Sequence, residues 1–431
     1  MPTPAVTTTT IAPSRRAAGR IMVPGDKSIS HRYAMLAALA DGVTSIRGYS
    51  TGFDCRTTLA CIRALGGGVD WTPEVVTIAG RGLASPAAPL DCENSGTTMR
   101  LLAGLAAGYP FVTTFTGDAS LRRRPMRRVI APLTAMGARI ESSNHRAPFT
   151  IHGGQLHGIA HAPEVPSAQI KSCVLLAGLL AEGTTTIEER TPTRDHTERA
   201  IETFNGRVVA SRGAVSVEGG QRLQAQDLRV PGDISGAAFW CALAAGTSGG
   251  RITIEGVGLN PTRTGLLEIL RRAGARVTVD HAKPSAPEPS GAIHVECGDW
   301  NHFVIAPEEV PGVIDEIPAL AALAAMMPEG RTLTVRGAEE LRVKESDRIA
   351  SLAAGFRAMG SEVTEFDDGF VLTARPLHGA AVDPAHDHRL AMAFAIAATR
   401  ADRPVTIVGS EVAAVSYPHF METLAHVTAG G

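Results

Sequence analysis

The sequence predicts an α/β protein (α+β by some schemes) made of two lobes, each of three repeated α/β units. Three observations predict it. An Ala/Leu-rich helix is written six times, a β-branched strand follows each copy, and an amphipathic helix ending in Gly then leads into another strand. The apolar helices lie in PGDKSISHRYAMLAALADG from Pro24, ENSGTTMRLLAGLAAG from Glu93, VPSAQIKSCVLLAGLLAEG from Val165, VPGDISGAAFWCALAAG from Val230, VPGVIDEIPALAALAAMMPEG from Val310 and HDHRLAMAFAIAATR from His386. Each is apolar nearly all round, so each is expected to be buried on all sides.

The strands after them read TSIRG, FVTTFTG, TTTIEE, RITIEG, RTLTVRG and PVTIVG, rich in the residues that favour a pleated surface. The amphipathic copies read TTLACIRALGGGVDW, RVIAPLTAMGARIES, TERAIETFNGRVVAS, TGLLEILRRAGARVTVD and IASLAAGFRAMGSEVTE, with a shorter YPHFMETLAHV closing the series. The Gly after each of the first five helices is a C-terminal cap. Lys27, Gly96, Gln169, Asp233, Asp315 and Asp387 mark the six helix heads, 69, 73, 64, 82 and 72 residues apart. That period is too long for a thin solenoid. The weakest join is QRLQAQDLRVPGD, which divides the chain into residues 22–228 and residues 1–21 plus 229–431, with crossings near Ile21 and Arg229. Thr7–Ala12 reads as a strand of the second lobe, and Ala282–Ala292 as a surface loop.

Bulk properties exclude several classes. With 41 basic and 43 acidic side chains the net charge is −2, which favours neither nucleic acid nor a membrane surface as partner. No apolar run approaches the roughly 18 residues of a membrane span. Six cysteines without a CxxC pattern read as buried reduced thiols of a cytoplasmic protein. The N-terminus lacks the apolar stretch of a secretory signal, although its Thr and Arg also suit a short transit segment. The scattered histidines match no metal motif, and no Gly-rich dinucleotide fingerprint follows a strand, so neither metal nor cofactor is expected.

Chemistry concentrates at the helix heads. A helix N-terminus presents unpaired N–H groups and a positive dipole end to anions. Lys27, Ser28 and Arg32 share one face at the first head; the plainer reading is capping by Ser28 with solvated charges. Asn94-Ser95-Gly96-Thr97 opens the second, where Gly96 admits close approach to the backbone and Asn94 or Ser95 caps. Arg122-Arg123-Arg124 precedes Pro125, which suits a first helical turn and sets Arg124 at a helix mouth. Ser167, Ala168, Gln169 and Lys171 head the third helix, and Arg194 to Glu198 follow its strand. Asp315 and Glu316 precede the fifth helix as caps, and a carboxylate there facing arginines is also placed for general base work. Ser346 is a candidate cap after Lys344-Glu345, and Asp387-His388-Arg389 repeats the theme. Burying so many ionic groups is costly unless they meet a ligand or each other. A ligand with several anionic groups is therefore expected.

PGDKSISHR, NSGTTMR, RRRPM, PSAQIKS, TRDHTE, IDEIPALA, LRVKESDRI and DHRLAMAFAI resemble the 5-enolpyruvylshikimate-3-phosphate synthase family from about Ile21 to Pro418. The resemblance implies a two-lobed inside-out α/β barrel of βαβαββ-like units with parallel buried helices and an active site in the interlobe cleft. It implies transfer of the enolpyruvyl group of phosphoenolpyruvate to the 5-hydroxyl of shikimate 3-phosphate, without metal or cofactor, in a cytoplasmic monomer. Lys27 would contact both substrates and assist proton transfer. Ser28, Arg32, Ser167, Ala168, Gln169 and Arg194 would hold shikimate 3-phosphate, with Lys344 beside it. Gly96, Arg124, Gln169, Arg348 and Arg389 would hold phosphoenolpyruvate. Asp315 would take the 5-hydroxyl proton and Glu345 would protonate the methylene carbon.

The chain departs from the family pattern in three places. Asp26 stands where many members have Ser, Leu101 where many have Pro, and Val415 where many have Lys, which removes one phosphoenolpyruvate contact. Gly96 leaves room for glyphosate, a competitor of phosphoenolpyruvate in this family, so inhibition is expected. The sister transferase acting on UDP-N-acetylglucosamine is the alternative; it carries a cysteine before Arg-Pro that Gly117–Arg123 lacks. A noncatalytic scaffold binding an anionic metabolite would explain the repeats but not Asp315 and Glu345 beside cations.

Overall fold

Alternating apolar helices and β-branched strands fold into two compact units, Gly25–Val230 with Ser285–Glu288, and Met1–Pro24, Pro231–Pro284 and Pro289–Gly431. The computed structural model describes residues 7–282 and 287–429. The start of the N-terminal segment that also suited a transit sequence, and the middle of the 282–292 loop, lie outside the described residues.

In the unit beginning at Gly25, three of the apolar helices form as expected: α1 (Lys27–Leu39), α2 (Gly96–Ala107) and α3 (Ala168–Gly178). Each is capped by a side chain just before it: Asp26 accepts from the Ile29 N–H, Ser95 from Thr98 and Ser167 from Ile170. The cap of α1 is thus Asp26, not Ser28, because Ser28 already lies inside the helix. Helices α2 and α3 run side by side in the same direction, since Gln169 meets Thr97 and Arg100 near both heads while Cys173 abuts Gly104 further along. A Cβ on Gly104 would lie 2.2 Å from the Cys173 carbonyl oxygen. Gly104→Ala should therefore force the helices apart and cost about 1–3 kcal/mol, read as a lower midpoint in urea unfolding at pH 7.

Three sheets of one pattern enclose these helices. Gly42–Arg47 pairs in parallel with Asp227–Arg229 and antiparallel with Val75–Gly80, which pairs with Gly68–Trp71. Val112–Thr116 does the same with Leu90–Asp91, Phe149–His152 and Arg139–Ser142. Thr184–Glu188 repeats it with Ala160–His161, Ala214–Glu218 and Val208–Ser211. The first repeat thus borrows its parallel strand from the end of the unit's main segment.

The other unit holds α4 (Ile234–Gly246), α5 (Ile317–Met326) and α6 (His388–Ala398). Every residue of α5 and α6 is buried, as expected of helices apolar all round. Arg251–Gly258 and Thr332–Val335 head the same strand pattern, the first pairing in parallel with Ala18–Met22 and the second with Phe303–Ile305. In the third sheet Val405–Val408 pairs in parallel with Ala381–Val382 and antiparallel with Thr8–Ile11, so the expected N-terminal strand fills the missing place. Helices α1 and α4 start on the same Val-Pro-Gly-Asp, at Val23 and Val230. Close approach requires the first of these glycines: a Cβ on Gly25 would sit 1.8 Å from the Gly48 carbonyl oxygen.

The described residues of the 282–292 segment are more than a surface loop. Glu288 is buried and its carboxylate lies 2.7 Å from His196 Nδ1. No composition signal marks this, because the pair forms only through the fold.

Candidate active site

In the unit beginning at Gly25 the cations gather at the heads of α1, α2 and α3. Lys27 is the first residue of α1, and its Nζ is held 2.9 Å from Asp54 Oδ2. Asp54 comes from helix Phe53–Ala64, and nothing in its sequence surroundings singled it out. Gln169 is locked by two bonds: its Oε1 accepts from Arg100 Nη1 at 2.7 Å and its Nε2 donates to Thr97 at 2.9 Å. Arg124 donates to Asn94 Oδ1 at 2.8 Å. It reaches there from an extended link after helix Ala119–Arg123, because the next helix begins at Arg127 and leaves Pro125 outside both. A Cβ on Gly96 would meet Arg100 Nη1 at 2.8 Å and Arg124 Nη1 at 3.2 Å, so glycine keeps both guanidinium groups at the head of α2.

Arg32 lies one turn into α1 and is buried. Its Nε donates to Thr197, Nη1 to the Ser28 carbonyl and Nη2 to Ser172, at 2.7, 2.8 and 2.6 Å. Burial pulls its pKa down to about 10 although Glu198 pushes the other way, so it stays charged at neutral pH. Lys171, also buried, is clasped by Glu189 at 3.0 Å and Glu198 at 2.7 Å. This clasp ties the segment before helix His196–Thr203, where Arg194 sits, to α3. Ser167 and Lys171 border a cavity of about 150 Å³ together with Glu189 and Arg190. His31 lies between Lys27 and Arg32, and its Nδ1 contacts Thr58 at 2.6 Å. Burial, then Lys27 and Arg32, hold its pKa well below the usual histidine range, so it is a neutral polar spacer.

In the other unit one arginine collects three carboxylates. Arg348 heads helix Arg348–Ala358, capped by Asp347 rather than by Ser346, whose hydroxyl turns to Asp387. Arg348 Nε donates to Asp387 at 2.7 Å, Nη2 to Glu345, and Nη1 lies 3.4 Å from Asp315 Oδ1. Burial alone would lower its pKa, but Asp387, Glu345 and Asp315 outweigh it and hold the guanidinium firmly charged. Arg389, at the head of α6, donates to the Asp315 carbonyl at 2.9 Å and stands 3.8 Å from its carboxylate. Lys344 directly precedes Glu345, at the end of the turn Glu339–Val343. Glu316 does not cap α5; its carboxylate accepts from Arg263 at 2.8 Å and from Ser235. Asp233, Ser235, Arg389 and Tyr417 border one crevice.

Each expected site residue therefore sits at or beside a buried helix head. Ala168 opens α3. Sequence reading missed the partners that hold these residues: Asp54, Arg100, Ser172 and Arg263. Only Arg100, a lone charge inside an apolar helix, left a trace.

The family described as EPSP synthase (3-phosphoshikimate 1-carboxyvinyltransferase) matches residues 11–424. The chain belongs to that family. It is 49% identical over 414 residues to a 3-phosphoshikimate 1-carboxyvinyltransferase of Acidithiobacillus ferrooxidans, covering 95% of each chain. A Shouchella clausii protein of the same name is 44% identical, covering 94% of this chain and 95% of that one. Among solved structures, the EPSP synthase of Acinetobacter baumannii superposes with a TM-score of 0.86 at 42% identity over 98% of both chains. An enolpyruvyl transferase of Streptomyces tendae shares the fold at 16% identity, with a TM-score of 0.77. Among the described residues, no helix is long and apolar enough to cross a membrane and no His/Cys/Asp/Glu group could hold a metal ion.

Proposed function

We propose that this chain transfers the enolpyruvyl group of phosphoenolpyruvate to the 5-hydroxyl of shikimate 3-phosphate through the residues assigned above. The observation that carries this reading is Arg348, bound at once to Glu345 and Asp387 and 3.4 Å from Asp315. It sets a candidate base and a candidate acid on one cation. Asp315 takes the 5-hydroxyl proton as the oxygen adds to C2 of phosphoenolpyruvate, and Glu345 delivers a proton to C3. The resulting tetrahedral adduct carries two carboxylates and two phosphates. It then loses inorganic phosphate and a C3 proton to give the enol ether. Fixed cations stabilise such an adduct without reorganising during the reaction. Lys27, Gly96, Arg124, Gln169, Arg348 and Arg389 serve phosphoenolpyruvate. Lys27, Ser28, Arg32, Ser167, Ala168, Gln169, Arg194, Asp315 and Lys344 serve shikimate 3-phosphate. Within that set Arg32 also braces Ser172 and Thr197. Six free, buried cysteines support a reducing, cytoplasmic setting. We read the active species as a monomer; a sedimentation coefficient of a dimer at assay concentration would overturn that.

Phosphate release tests the reading. It should appear with phosphoenolpyruvate and shikimate 3-phosphate and be absent with UDP-N-acetylglucosamine. Release only with the sugar nucleotide would replace the substrate, and silence with both would leave a binding scaffold.

Glyphosate competes with phosphoenolpyruvate in this reading. Gly96→Ala should push Arg100 and Arg124 off their positions by a few tenths of an ångström. We expect KM for phosphoenolpyruvate to rise about 10-fold and the glyphosate inhibition constant to rise more. Steady-state kinetics of both proteins, with and without glyphosate, checks this.

A further inference from the structure

We infer that Arg263 is a positioning residue for Asp315, acting through the buried carboxylate of Glu316. The inference rests on the function proposed above and names a residue that the family motifs in this chain leave out. Arg263 comes from the turn Asn260-Pro261-Thr262-Arg263 after strand Arg251–Gly258. Asn260, itself buried, shapes that turn: its Oδ1 accepts from the Thr262 N–H at 2.9 Å and its carbonyl from the Arg263 N–H at 2.8 Å. Arg263 is then buried too, and its Nη2 donates to Glu316 Oε1 at 2.8 Å and to Ser235 at 2.7 Å.

Glu316 has 0% exposure and stands at the N-cap position of α5, where a shorter acidic side chain would bond the helix N–H groups. It makes no such bond. Its Oε1 takes Arg263 and Ser235, while Oε2 is buried without a hydrogen-bond partner. A lone pair stranded in this way is costly. A glutamate at this place is thus a poor cap and a poor core residue. Its evident use is to receive Arg263, which ties the heads of α4 and α5 together.

Asp315 is the preceding residue, so the peptide that carries the base is pinned from two sides. Arg389 holds its carbonyl at 2.9 Å, and Arg263 holds the next side chain. The charged groups that face this acidic pair include Arg348 and Arg389 at Asp315 and Arg263 at Glu316, with Glu345 and Asp387 on Arg348 and Asp233, at the head of α4, bordering the same crevice as Arg389. Without Arg263, Glu316 would remain next in the chain to Asp315 as an uncompensated negative charge, and the peptide would lose one anchor. Both effects impair the base. A more negative surrounding makes Asp315 hold its proton to higher pH, and a shifted peptide misplaces its carboxylate.

The test uses the full chain with Arg263→Gln, Arg263→Lys, Glu316→Gln and the double variant Arg263→Gln/Glu316→Gln. Wild-type phosphate release from the two substrates comes first, and its absence would fail the functional reading rather than this one. With wild type active, Arg263→Gln should lower kcat roughly 30- to 100-fold with both KM values within about threefold. The acid limb of its kcat–pH profile should move to higher pH. The double variant, which removes the buried charge with its partner, should return that limb to its wild-type position. Arg263→Lys, which keeps the charge but not the fork, should show an intermediate kcat. An unmoved acid limb in the folded Arg263→Gln protein, or purely additive losses in the double variant, would overturn the inference. If Arg263→Gln does not fold, Arg263→Lys and Glu316→Gln decide: kcat within twofold of wild type in both would overturn it equally.

Discussion

Asp315→Asn should lower kcat by about two to four orders of magnitude while both substrates still bind. The amide keeps the size of the carboxylate but cannot take a proton. The geometry around it would persist, because Arg389 grips the residue by its backbone carbonyl, which the substitution leaves untouched. The electrostatic attraction of Arg348 at 3.4 Å and Arg389 at 3.8 Å is lost. KM for shikimate 3-phosphate should therefore change only a few-fold, by the loss of one acceptor. Single-turnover phosphate release and equilibrium binding of shikimate 3-phosphate separate the two effects. A variant within tenfold of wild-type kcat would remove Asp315 from the role of base.

Arg348→Met should have the largest effect on stability, about 3–5 kcal/mol. The side chain has 1% exposure and its partner Asp387 has none. Replacing the cation by an apolar chain of similar length strands the Asp387 carboxylate in the protein interior. Glu345 and Asp315 would lose their shared partner too. Urea unfolding of the purified protein reads the stability. The companion Arg348→Met/Asp387→Leu removes the stranded charge and should recover most of that loss without recovering phosphoenolpyruvate binding. If the single variant unfolds within 1 kcal/mol of wild type, as an exposed pair would allow, the buried cluster does not hold this helix head. If the double variant restores phosphoenolpyruvate binding, Arg348 is no substrate ligand.

Much of the architecture was legible because it rests on local patterns. Each apolar helix announces its own burial, as in α5, where Ile317–Met326 contains no charge. The glycine caps and β-branched strands follow from backbone sterics within a few residues. Helix heads were legible as sites for the same reason: a charge beside an apolar run is conspicuous, as Asp315 and Lys27 are. Capping was read less well. Ser28 and Ser346 are acceptable cap residues by type, yet Asp26 and Asp347 cap their helices, and Glu316, expected as a cap, holds the N-cap place with its carboxylate turned away. Where several polar residues crowd one helix start, the choice depends on which backbone turns out of the helix, and neighbours far along the chain decide it.

By itself, then, the sequence determined the repeating α/β units, the burial of six helices and the acidic and basic residues at their heads, since propensity, periodicity and capping act over a few residues. Tertiary structure alone decided what holds those residues in place. Asp54 meets Lys27, Thr197 and Ser172 meet Arg32, and Arg263 meets Glu316 only because distant segments are packed against one another. It also decided strand partnership, as when Asp227–Arg229 completes the sheet of Gly42–Arg47. The physical reason is that a buried charge must find its counterpart in space, and the chain can supply that counterpart from any position that the fold brings within about 3 Å.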